Sequence, residues 1–99
     1  MIDLLHRKIA FSLKTWGPGR RTAGVIDHLR KEITEVEQNP DDIFEWVDII
    51  ALAMDGAMRH GATPESLAWA IEEKQRIVEA RKYPDWRTAD QSKGIEHIR

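Results

Sequence analysis

Apolar residues recur at helical spacing along nearly the whole chain, and glycine, proline and asparagine cut the pattern into four segments. The first, Ile2 to Lys14, carries apolar residues at 2, 4, 5, 9, 11 and 13 and breaks at Gly17-Pro18-Gly19. The second, Thr22 to Gln38, sets Val25, Ile26, Leu29, Ile33 and Val36 on one stripe, and Asn39-Pro40-Asp41-Asp42 supplies a stop followed by a fresh acidic start. The third, about Asp42 to His60, is apolar almost all round, from Ile43 and Phe44 to Met54 and Met58, a pattern that predicts burial on nearly every side. Gly61 ends it. Thr63-Pro64-Glu65 then opens a fourth helix with a capping residue, a first-turn proline and a first-turn acid, and that helix is expected to run to about Lys82. Tyr83 to Arg99 reads as an ordered tail or lid, polar through Ser92 and amphipathic from Lys93.

The fold class expected is therefore all-α: a four-helix bundle-like protomer forming a single domain over residues 1–99, of which 83–99 is the tail. A chain of 99 residues buries only a modest share of its surface alone. Together with the all-round apolarity of the third helix, this predicts assembly into a homodimer or a dimer of dimers (homotetramer).

Composition narrows the function classes. With 41% hydrophobic and 32% charged residues the chain is a folding one, and its net charge of −2 argues against a protein that coats nucleic acid or an acidic membrane. No stretch has the length of a membrane span and no secretory leader is evident, so a cytoplasmic setting is expected. Without cysteine, any metal must be held by oxygen or imidazole.

Oxygen ligands are what the pattern offers. Counting from Pro40, Glu35 and Glu45 each lie five positions away, and Glu32 and Asp48 each lie eight away. In antiparallel neighbouring helices this sets Glu35 level with Glu45 and Glu32 level with Asp48, with about 4.5 Å between the levels. Glu32 also falls within or beside the apolar stripe of its own helix, so it points inward. Asp55 extends the acidic stripe of the third helix. Burying so many like charges uncompensated is costly, and an oxygen-only set of this density suits Mg²⁺ or Mn²⁺. On the fourth helix Leu67, Ile71, Lys74, Val78 and Arg81 share a stripe, so two cations emerge from a packing face; they either pair with Glu32 or Asp55 or meet an anionic ligand. Lys82, Lys93, Arg20 and Arg21 lie on segments able to close over a phosphate chain. Trp16 and Trp86 are candidates to stack on a base, with packing as the plainer alternative, and Asp27 or His28 could read a base edge, with a surface or capping role the plainer alternative.

The two acidic pairs, Glu32-Ile33-Thr34-Glu35 and Glu45-Trp46-Val47-Asp48, resemble the signature of the all-α nucleoside triphosphate pyrophosphohydrolases that include MazG and the dimeric dUTPases. With Thr15–Arg20, Gly24–Glu32, the segment Pro84-Asp85-Trp86-Arg87-Thr88-Ala89-Asp90 and Ile95–Arg99, the chain is most similar to the phage MazZ-type dATP/dGTP pyrophosphohydrolases, over nearly its whole length. Two features depart from the wider pattern: the spacer between the acidic pairs is short, and Val78 stands where relatives often carry an asparagine.

The resemblance implies hydrolysis of a purine deoxynucleoside triphosphate to the monophosphate and pyrophosphate. Two or three Mg²⁺ or Mn²⁺ ions would be held by Glu32, Glu35, Glu45 and Asp48. Glu35 is the preferred acid to serve the attacking water, Glu45 is essential, and Lys74, Arg81, Lys82, Lys93, Arg20, Trp16 and Trp86 would contact the substrate. Three other functions stay open on the sequence: a non-catalytic metal-binding interaction module, a house-cleaning pyrophosphohydrolase of other nucleotides, and a small nucleic-acid binder using Arg20, Arg21, Arg30 and Lys31.

Overall fold

A computed structural model describes residues 1–99. It is all-helical: α1 Ile2–Trp16, α2 Thr22–Gln38, α3 Ile43–Arg59 and α4 Pro64–Ala80, followed by one 3-10 turn, Trp86–Thr88. Helix α2 has the bounds its sequence signals imply, α1 runs two residues further than expected, and α4 stops two residues earlier. The chain divides into two compact units, Met1–Ala68 and Trp69–Arg99, each described in turn.

In the first unit α3 is the central element and packs against both α1 and α2. Its apolar core is Leu5, Val25, Val36 and Met58. Each helix begins or ends where the local chemistry dictates. Asp42 caps α3 by accepting from Phe44 N at 2.9 Å. At the start of α4, Thr63 and Ser66 exchange side-chain and backbone bonds of 3.0 and 2.9 Å, a reciprocal cap that satisfies two otherwise orphaned donors. Gly17 and Gly19 hold φ of 86° and 94° in the α1–α2 connection, backbone that a side chain would strain.

Helices α2 and α3 approach closely at Gly56, where an added Cβ would lie 3.4 Å from Val25 Cγ1. The same end is tied by His60. Its Nδ1 donates to Gly56 O at 2.7 Å, so in the neutral ring Nε2 is the acceptor and Thr22 Oγ1 donates to it at 2.6 Å. At the opposite end Trp46 Nε1 donates to Pro40 O at 2.8 Å, fastening the first turn of α3 to the connection before it.

The buried stripe of α2 differs from the one its apolar residues suggest. Val25, Glu32 and Val36 are buried and Leu29 half-buried, while Ile26 and Ile33 are 40% and 49% exposed. A carboxylate thus occupies a core position that an isoleucine could have taken. On α3 the expectation of all-round burial is not met within the chain: Ile43, Phe44, Trp46, Val47 and Ile50 are exposed.

The second unit comprises α4 from Trp69 onward and the tail. Tyr83 Oη donates to Val78 O at 3.1 Å, and Ile98 N donates to Lys82 O at 2.7 Å, bringing the end of the chain back to the end of its helix. Asp85 caps the 3-10 turn through Arg87 N at 3.0 Å, and the Arg87 guanidinium lies 5.0 Å from the Trp86 ring centre. Gly94 to Arg99 forms no regular element.

Candidate metal centre and adjoining cavity

Glu32 and Glu35 on α2 and Glu45 and Asp48 on α3 converge: one carboxylate oxygen from each lies within 4.8 Å of those of the other three. The arrangement follows from the hairpin, since the short connection through Pro40 forces α2 and α3 antiparallel and equal spacing on either arm sets the pairs level. Glu32 is buried, Glu45 half-buried, and Glu35 and Asp48 exposed. The cluster therefore opens to solvent on one side.

Its electrostatics are uncompensated. The Glu32 carboxyl is pushed above the ordinary range, first by the close approach of the Glu35 carboxyl, which favours a proton between the two, then by burial and by the charges of Glu35 and Asp48; the bond from His28 pulls the other way. Glu45 is raised chiefly by burial, then by Glu35 and by the charges of Asp42 and Asp48. Glu32 Oε2 and Glu45 Oε2 are buried with no hydrogen-bond partner. Orphaned carboxylate oxygens within a cluster of four acids are a donor set that could hold a hard divalent cation.

A cavity of about 750 Å³ adjoins the cluster, with Glu32 and Asp48 in its wall. The facing wall comes from α1, with Arg7, Lys8, Phe11 and Trp16. The rings of Phe11 and Trp16 meet edge to face with centres 5.6 Å apart. His28 also lines the cavity and bonds Glu32 Oε1 at 3.1 Å, orienting that carboxylate. His28 is nonetheless exposed, as a surface role would have it, and Asp27 also lies at the surface, paired with Lys31 at 3.3 Å.

The most buried charged side chain is one that sequence reasoning passed over. The side chain of Arg59 is fully buried and uses all five of its N–H donors: Nε to Asp55 Oδ2, Nη1 to Gly17 O and Gly19 O, and Nη2 to Ser12 O and Ser12 Oγ, at 2.7 to 3.1 Å. It joins α3 to the end of α1 and to the turn after Trp16. Asp55 is accordingly taken by Arg59, and Glu32 by His28.

Of the other residues expected to contact substrate, Trp16 lines the cavity and Arg20 is exposed in the α1–α2 connection. Lys74, Arg81, Lys82, Trp86 and Lys93 belong to the second unit. There Lys74, Lys82, Trp86 and Lys93 are exposed and Arg81, just past the helix end, is half-buried.

An all-helical chain with ExxE on one arm of a hairpin and ExxD on the other has the makings of a MazG-like pyrophosphohydrolase. The family model described as dATP/dGTP pyrophosphohydrolase matches residues 4–99, and the chain belongs to that family. Neither the curated proteins nor the solved structures yield a match. No helix is long and apolar enough to cross a membrane.

Proposed function

We propose that this protein hydrolyses dATP and dGTP between the α and β phosphates, giving the monophosphate and pyrophosphate, in a reaction that depends on Mg²⁺ or Mn²⁺. The observation that carries the metal dependence is the convergence of four carboxylates within 4.8 Å, two of them with orphaned buried oxygens. Glu32, Glu35, Glu45 and Asp48 would hold the ions, two or three per site. When bound, these supply positive charge against the triphosphate and acidify water for attack on the α phosphorus.

The chain's own groups do the rest. Glu35, exposed on the open side of the cluster, is suited to take the proton of the attacking water, while the half-buried Glu45 would serve as a ligand. His28 fixes the orientation of Glu32. Trp16 and Phe11 offer the base an aromatic surface, and Arg7 and Lys8 add positive charge to the same cavity. A role in neutralising the departing pyrophosphate is proposed for Lys74, Arg81, Lys82, Lys93 and Arg20, and a stacking role for Trp86; charge, ring chemistry and family resemblance support these. The exposure of two of the four acids favours a site open to substrate over the closed coordination of a purely structural metal.

The exposed Ile43, Phe44, Trp46, Val47 and Ile50 of α3 support a homodimer or dimer of dimers. The setting we infer is the cytoplasm of a phage-infected host, where removal of dATP and dGTP serves DNA containing 2-aminoadenine; it rests on the resemblance carried by Pro84 to Asp90.

The test is incubation with each common deoxynucleoside triphosphate and Mg²⁺ or Mn²⁺, separating pyrophosphate from phosphate. Pyrophosphate and monophosphate from dATP and dGTP are expected, and none after chelation. Glu45→Gln should abolish turnover while circular dichroism stays helical. Release of phosphate and diphosphate instead, or full activity in chelator, would overturn the proposal.

A further inference from the structure

Asp55 lines the cavity, yet lies beyond the metal cluster. It follows Asp48 by seven positions, so it shares that face of α3 two turns on, about 10 Å along the axis. Only Oδ2 is used, accepting from Arg59 Nε at 3.0 Å. Oδ1 is buried and has no partner. Arg59 cannot supply one, because its five N–H donors are spent on Asp55, Gly17, Gly19 and Ser12. The oxygen therefore calls for a donor from outside the chain.

A nucleoside triphosphate has few donors to give. Its phosphates only accept, and their charge repels a carboxylate, so what remains are the N–H groups of the base and the sugar hydroxyl. The aromatic surface points to the base. Trp16 adjoins Gly17, whose carbonyl is held by the same Arg59 that holds Asp55, so one clamp fixes the stacking surface and the acceptor. We propose that Asp55 is a specificity-determining residue whose free Oδ1 accepts from the N–H donors on the edge of the purine base. The inference rests on the proposed function, in that the cavity holds the nucleotide.

The discriminating comparison is kcat/KM, with Mn²⁺, for dATP, dGTP, the deoxynucleoside triphosphate of unsubstituted purine, which lacks every exocyclic amine and ring N–H, and dideoxyATP, which lacks the 3′-hydroxyl. The wild-type protein is expected to favour dATP and dGTP over unsubstituted purine by about 10- to 100-fold, the range a buried acceptor left unpaired would give. In Asp55→Asn, Arg59 still demands an acceptor, so the amide oxygen turns toward it and the NH₂ replaces Oδ1; the preference should collapse or invert, mainly through KM. Asp55→Glu keeps the charge for Arg59 but shifts the free oxygen, and should shrink the preference. The ratio of dATP to dideoxyATP should not change in either variant.

A wild-type preference near unity overturns the inference whether or not the variants fold. So does a preference unchanged in a folded variant, or one in which the dideoxy ratio moves instead, which would place Oδ1 on the sugar. Hydrolysis of none of the four substrates would remove the proposed function itself, and this inference with it.

Discussion

Replacing Arg59 by methionine is expected to be among the most damaging single changes outside the acidic cluster. The side chain is wholly buried and its partner Asp55 is 13% exposed. Methionine fills much of the volume but leaves the Asp55 carboxylate without its counter-charge, and breaking a buried pair in this way costs about 3–5 kcal/mol. The carbonyls of Gly17 and Gly19 lie in the connection and can turn to water, whereas Ser12 is buried, so its orphaned acceptors add to the loss rather than relieve it.

Against a total stability of about 5–15 kcal/mol for a small domain, the change brings the fold close to its limit. At roughly 4–8 °C per kcal/mol for a chain of this size, the melting temperature should fall by more than about 12 °C. Urea melts followed by circular dichroism give the free energy directly. Arg59→Met/Asp55→Leu should be more stable than Arg59→Met alone, because the second change removes the stranded carboxylate. Arg59→Lys should also be poor, since one ammonium has three donors for five acceptors. A loss below about 1 kcal/mol for Arg59→Met, with the denaturant slope unchanged, would refute the buried network.

Other consequences are cheaper to check. Glu32 and Glu45 have raised carboxyl pKa values in the metal-free fold, so the folded state binds more protons than the unfolded chain between the ordinary and the raised values. Their contribution to stability is full below the ordinary carboxylate range and is lost as pH rises through the raised values. Melting temperatures in chelator should therefore show a cluster contribution that falls from about pH 4 toward neutrality, and Mn²⁺ should restore it; a metal-independent profile would count against the site. Trp16→Ala should raise KM for dATP about tenfold or more with kcat largely kept, given the usual worth of base stacking; an unchanged KM would take Trp16 off the base. Trp46→Phe removes one half-exposed hydrogen bond to Pro40 and should cost only about 0.5–1.5 kcal/mol in a thermal or urea melt, a loss above about 3 contradicting its position.

What the sequence revealed and what it concealed divide along the range of the interactions. The mirrored spacing about Pro40 was enough to bring Glu32, Glu35, Glu45 and Asp48 together, because a short turn and a fixed helical rise leave the two arms of a hairpin little freedom. The wall supplied by α1 was not legible in the same way. Arg7 and Lys8 look like ordinary surface positions, and Phe11 like one more packing residue, until α1 is laid against α3, a contact some forty residues distant that no local spacing encodes. Arg59 was hidden for a related reason: an arginine in a last helical turn reads as a favourable charge at the helix end, and only the return of the Gly17–Gly19 turn shows its donors to be filled. The apolar abundance of α3 was plain, but abundance does not say which neighbour covers it. Within the chain, Ile43, Phe44 and Ile50 are left uncovered.

All four carboxylates fall within the segment 32–48, a single helical hairpin with one short connection. Contacts of such low sequence separation close early and at little entropic cost, so this is the part of the molecule that folds with the least search. Yet four acids brought together repel. A divalent cation present during folding would turn the most repulsive local contact into the most attractive one, making the hairpin a metal-triggered nucleus around which α1 docks later. Refolding rates should then rise with Mn²⁺ concentration before any substrate is added, and the rate of unfolding should change less.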